Sequence, residues 1–158
     1  MMKQQDSATL ASLLSPDNIV YLEGNYDRPG LVAFLASKLH PRVAGVIGEK
    51  ALVDRLNEVE KLNNVLETGL YIPHAKLPDL ADFHAVMAVI PAGLKDPSSP
   101  YAVRAAVLLL SPGKPPFFQQ HLNMLASMAR TFQAPFIDKL CSLGSPAEAA
   151  ALFAPPRP

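Results

Sequence analysis

Four histidines, His40, His74, His84 and His121, are the side chains of this sequence best suited to chemistry near neutral pH. Imidazole has an unperturbed pKa of about 6.5, so small changes of environment decide whether it is a base or a cation. No pair of them has the spacing of a metal motif, and the single cysteine, Cys141, has no second thiol to work with. No metal and no other cofactor is expected. His74 has the most distinctive surroundings: Thr68-Gly69-Leu70-Tyr71-Ile72-Pro73-His74-Ala75-Lys76. An extended apolar run meets a proline, which cannot donate to a strand ladder. The histidine then falls at the predicted strand's mouth, exposed but rigidly aimed, where a neutral imidazole is a competent nucleophile. A histidine after a proline is more often structural than nucleophilic, and the residues alone leave both readings open.

His121 lies between Phe118 and Leu125 in a long helical pattern, on the predicted inward face. It reads either as a core histidine held by a backbone carbonyl or as a residue aimed across at His74. His84 in an apolar strand run and His40 before Pro41 read as structural, and Cys141 as a buried apolar residue of a helix. The sequence has no glycine-rich phosphate loop and no G-x-S-x-G elbow.

The elements that must position these residues follow from the apolar pattern. A short helix through Leu10, Leu13 and Leu14, capped by Ser7, is stopped at Ser15-Pro16, and a strand is predicted over 19–22. Asp27 and Pro29 open a helix carrying Leu31, Val32, Leu35 and Leu39 on one face and ended by Pro41. A second helical stretch runs from Val43 to Leu62, with Asn63-Asn64 as its stop. Residues 65–72 are extended. Phe83–Ile90 and Val103–Leu110 are apolar enough for strands covered on both faces, separated by turn-rich residues 97–100. From Pro116 a helix presents Phe118, Leu122, Leu125, Ala129 and Phe132 at steps of three and four. A helix through Ile137 and Leu140 ends at Gly144, and Ser145-Pro146-Ala147-Glu148 forms a capping box for a last one. Strands gathered between helical ends predict an α/β fold with one small mixed sheet covered by helices.

Composition narrows the class. Of the 158 residues, 49% are hydrophobic and 18% charged, which suits one globular domain over 8–154 between a disordered start, 1–7, and a tail, 155–158. Lys+Arg and Asp+Glu both number 14, so the basic excess of a nucleic-acid binder is missing. Neither a signal-like nor a membrane-spanning apolar run is present, and a cytoplasmic protein that does not insert into the membrane is expected.

The run Gly69-Leu70-Tyr71-Ile72-Pro73-His74-Ala75-Lys76 resembles the signature around the phosphorylated histidine of type-2 IIA domains, the mannitol, fructose and nitrogen-regulatory class of the bacterial sugar phosphotransferase system. A later apolar strand ending at Ser111-Pro112, followed by a helix with His121-Leu122, is similar to the same family. The resemblance covers residues 8–153. It implies a single mixed sheet sandwiched by helices and a phosphoryl carrier. In that reading His74 accepts phosphate from the histidine-containing phosphocarrier protein and passes it to a IIB domain, or serves nitrogen-type regulation. His121 would support the site, protonated or as a neutral donor. Lys76, the backbone N–H of Ala75, and Arg55 would bind phosphate. Glu58 occupies the position of the family's usual arginine, one helical turn beyond Arg55, and Tyr71 stands where the family has alanine, beside the site. The alternative is a IIA-like regulatory module that binds proteins without transferring phosphate.

Overall fold

The computed structural model describes residues 9–60, 65–97 and 99–153. Helix α1 (Leu10–Leu13) starts at Thr9, whose hydroxyl accepts from Ser12 N at 3.1 Å while Ser12 Oγ accepts from Thr9 N at 2.9 Å. This reciprocal cap satisfies two amides that the helix cannot bond internally. Ser7, the expected cap, lies outside the described residues. Asn18 then knots the chain. Its amide donates to the carbonyls of Leu13 at 2.5 Å and Ala85 at 3.0 Å, and its Oδ1 accepts from Ser15 Oγ at 2.6 Å.

Strand β1 (Ile19–Tyr21) follows, then α2 (Arg28–Leu39), capped by Asp27, whose Oδ1 accepts from Gly30 N at 2.8 Å. Helix α3 spans Glu49–Glu60. It starts later than the predicted Val43, because a 3-10 turn at His40–Arg42 and further turns through Val46 separate it from α2. Pro41, with no N–H to give, is accommodated at the start of that 3-10 turn. The Asn63-Asn64 stop and Leu62 lie outside the described residues.

The sheet comes next: β2 (Leu70–Tyr71), β3 (His74–Leu77), β4 (His84–Leu94) and β5 (Val103–Pro112). Its order is β1-β4-β5, with β2 and β3 sharing the far side of β5. Only the β4–β5 pair is antiparallel, so the sheet is mixed, as expected. Both long strands outrun their predicted ends. β4 continues through Pro91 because its register with β5 shifts between Val89 and Leu94, and Gly93 at φ +79° supplies the bend. β5 continues through Ser111 to Pro112, alongside Lys76 and Leu77.

Side chains alternate across β4 and β5 into two separate cores. Val86, Ala88 and Ile90 with Ala106, Leu108 and Leu110 meet α2 and α3 on one face. Ala85, Met87 and Val89 with Ala105, Val107 and Leu109 meet four helices on the other: α1, α4 (Phe118–Thr131), α5 (Ala134–Ser142) and α6 (Pro146–Ala151). Leucines such as Leu35 and Leu108 are 0% exposed, and each burial of this kind contributes about 1.5–3 kcal/mol. Ser145 caps α6 by accepting from Glu148 N at 3.2 Å. The Glu148 carboxylate reaches Gly144 N at 3.3 Å rather than the cap's own amide, a displaced version of the predicted capping box.

Candidate active site

The edge formed by β2 and β3 is built around two backbone features. Gly69 takes φ +94°, a conformation that L side chains rarely adopt, and closes a turn in which Leu66 N donates to Leu70 O at 2.9 Å. Its carbonyl accepts from Arg104 N at 2.9 Å, docking β2 on β5. Pro73 interrupts the strand without ending it, since its carbonyl still accepts from Leu109 N at 3.0 Å. An edge strand tolerates a proline because one side of its backbone has no ladder to serve. His74 therefore opens β3 in register with Leu109, and is not a loop residue beyond a finished strand.

Alternation along β3 sorts the neighbouring residues. Ala75 and Leu77 are buried in the core beneath α2 and α3. His74 and Lys76 face α4: the rings of His74 and His121 lie 5.5 Å apart between centroids, and Lys76 Nζ lies 4.5 Å from the centroid of Phe118. The side chain of Ala75 thus lies on the sheet face opposite the histidine pair, and the role expected of this residue belongs to its backbone N–H. Arg55, from α3, reaches the same strand, where its Nη2 donates to Lys76 O at 3.1 Å. Tyr71, expected beside the site, is fully buried in the α2-side core with the Arg28 guanidinium 4.7 Å from its ring centroid. Alternation puts it on the wrong face to crowd the histidines. Glu58 is exposed on α3.

The two imidazoles are held differently. His74 is half-buried, and its Nδ1–H donates to Ile72 O at 2.8 Å. A carbonyl can only accept, so the proton is on Nδ1 and the lone pair on Nε2. Nε2 has no partner among the described residues and is not sealed from solvent. His121, on the first turn of α4, is 3% exposed, and its Nδ1 lies 2.7 Å from Ser111 Oγ. Burial lowers its pKa to about 4, helped by the neighbouring charges of His74 and Lys76. Of the two forms expected for His121, protonated or donor, the lowered pKa favours the uncharged ring near neutral pH.

The other histidines stay apart from this pair. His40 Nε2 donates to Ile47 O at 2.9 Å and closes the turn after α2. His84 lies on β4, with its pKa lowered chiefly by burial. Among the described residues no three His, Cys, Asp or Glu side chains converge as a metal site would need. Cys141 is only half-buried, next to the Arg104–Asp138 ion pair.

Three residues were missed or misplaced in the sequence pattern. Ser111 was read as the strand's end, yet it is the buried partner of His121. Phe118 and Leu122 were assigned to the inward face of α4, but that face is His121, Met124 and Met128, and the two apolar residues are 38% and 57% exposed. Placing His121 inward leaves its neighbour Leu122 outward, a consequence of helix geometry that the apolar count obscured.

Neither a protein-family model nor a curated protein sequence matches the chain. Solved structures do. The nitrogen-regulatory protein IIA-Ntr from Neisseria meningitidis superposes with a TM-score of 0.77 over 92% of this chain and 99% of that one, at 19% identity. IIA mannitol from Escherichia coli gives 0.70 over 89% and 99%, at 18% identity. The chain has the fold of a type-2 IIA domain. The same IIA-mannitol fold, in a complex with phosphorylated enzyme IIB of mannitol from Escherichia coli, matches with a TM-score of 0.70 at 17% identity over 89% of this chain. The IIA-type fold accounts for the open mixed sheet between two helical layers and for the near-complete coverage of both partners in the comparison. No described helix is long and apolar enough to cross a membrane.

Proposed function

We propose that this IIA-type chain is a phosphoryl carrier with Nε2 of His74 as the acceptor atom. The observation that carries the reading is the 2.8 Å bond from His74 Nδ1 to Ile72 O, which leaves Nε2 with a free lone pair beside His121. In the reaction, that lone pair attacks the phosphorus of a donor phosphohistidine in line. The donor's P–N bond breaks as the new one forms, and its electron pair returns to the donor imidazole. Charge on the equatorial oxygens is then met by fixed donors. His121 would donate from its neutral ring, while Lys76 and Arg55 supply positive charge from the strand edge. Bonding to phosphorus draws electrons from the His74 ring, and the Ile72 carbonyl on Nδ1–H eases that loss.

The expected donor is the histidine-containing phosphocarrier protein. The recipient is a IIB domain, or a regulatory target in nitrogen-type control. Phe118 and Leu122, exposed on α4 beside His121, offer apolar surface on which such a partner could seat without a charged interface. A cytoplasmic site of action accompanies this reading. The transfer-incompetent alternative called for Tyr71 or Glu58 to fill the space between the histidines; the burial of Tyr71 on the other face favours the carrier.

Incubation with enzyme I, the histidine phosphocarrier and labelled phosphoenolpyruvate should give acid-labile label on the wild-type chain and none on His74→Ala. Wild-type protein that stays unlabelled with its cognate donor, or label that survives His74→Ala, rejects the carrier.

A further inference from the structure

The hydroxyl of Ser111 is fully buried at the end of β5, between the strand that carries His74 and the helix that carries His121. Its Oγ has one hydrogen-bond partner among the described residues, Nδ1 of His121 at 2.7 Å. The direction of that bond is decided by what each choice leaves behind. If the imidazole donated, the hydroxyl proton would be buried with no acceptor. If the hydroxyl donates, only a spare oxygen lone pair goes unused, and buried donors are orphaned far less often than acceptors. The hydroxyl therefore donates, and the neutral ring carries its proton on Nε2.

We propose that Ser111 is a positioning residue for phosphoryl transfer: it confines the proton of His121 to Nε2, so that a hydrogen-bond donor, and not a lone pair, meets the phosphoryl oxygens at His74. The inference rests on the carrier reading of the site. The opposite tautomer would turn a nitrogen lone pair toward anionic oxygen and repel it. Among the described residues no other hydrogen bond fixes the His121 proton.

The groups facing His121 are few. Ser111 approaches from β5, His74 and Lys76 from β3, and Phe118 is one turn back on α4. None of them is a carboxylate that could hold a proton on Nδ1.

The test reads the tautomer directly. Long-range proton–nitrogen correlation spectra of uniformly nitrogen-15-labelled protein, at a pH of about 7, should show His121 in the Nε2–H form. Ser111→Ala should shift that ring to a mixture or to the Nδ1–H form, and Ser111→Thr, which keeps the hydroxyl, should restore it. The rate of labelling at His74 should fall by about tenfold to a hundredfold in Ser111→Ala, less than the ~10²–10³-fold loss that follows outright deletion of an aimed donor, and should recover in Ser111→Thr. A wild-type His121 found as Nδ1–H overturns the proposal without any variant having to fold. So does a Ser111→Ala protein with unchanged tautomer and rate. Wild-type protein with the Nε2–H ring but no label rejects the carrier reading, and the positioning role with it, while leaving the Ser111–His121 bond intact; that outcome is distinct from failure of Ser111 alone.

Discussion

His121 makes the stability of this chain depend on pH in a calculable way. Its pKa is about 4 in the folded chain, against about 6.5 for a solvated imidazole. Because the folded value is depressed, the unfolded chain binds the proton first as pH falls. The neutral ring's contribution is complete above pH ~6.5, is lost progressively toward pH ~4, and changes no further below that. At pH ~5 the unfolded ring is about 1.5 units below its pKa while the folded ring is still mostly neutral, which at ~1.4 kcal/mol per unit costs about 2 kcal/mol of stability. Other groups titrate in this window, His84 among them, so the measurement is a difference between two proteins. Urea unfolding of wild type and His121→Asn at about pH 7.5 and about pH 5 should show wild type losing roughly 2 kcal/mol more than the variant. Equal losses would mean that the fold does not depress the pKa of His121, and the argument that burial holds this ring neutral into the acid range would collapse.

Two further perturbations test the fold that carries the site. Phe132 is fully buried and packs against the rings of Phe136 and Phe153 at 5.3 and 5.8 Å; Phe132→Ala should cost about 3–5 kcal/mol in urea unfolding. Arg28 and Asp96 pair at 2.7 Å with side chains only 10% and 12% exposed. Asp96→Ala should destabilise by about 3 kcal/mol, because it removes the carboxylate from a largely buried ion pair, whereas a loss under about 1 kcal/mol would show the pair to be solvated.

The two strongest sequence signals were of different kinds, and they succeeded for different reasons. Val103–Leu110 and Phe83–Ile90 were readable as strands because burial on both faces leaves no polar position to break the apolar run. The residues left the pairing of His74 with His121 as one of two readings and only a resemblance favoured it, since their meeting depends on β3 and α4 docking on the same end of β5, which no local pattern encodes. What failed was local as well. Pro73 and Pro91 were read as strand ends, although an edge position in one case and a register shift in the other made them harmless. Tyr71 was expected beside the site from its place in the signature, yet a strand sends successive side chains to opposite faces. The helix after Pro116 showed its period correctly but not its phase: His121 is buried at the cost of exposing Phe118 and Leu122.

A carrier must release what it accepts, and the electrostatics of this site are arranged accordingly under the proposed function. A cationic His121 next to a phosphorylated His74 would hold the phosphoryl group by full charge in a poorly solvated place, deepening the intermediate and slowing its onward transfer. In the unphosphorylated site burial keeps the ring neutral, so it meets an incoming phosphoryl group with a directed hydrogen bond and not a charge. The full charges stand further out: Lys76 rests over the ring of Phe118, and Arg55 is committed to the Lys76 carbonyl. Both lie where solvent screens them, so they can draw an anion in without trapping it. Tight grip and fast release are incompatible demands on one cation, and dividing them between a buried neutral donor and cations at the rim meets both.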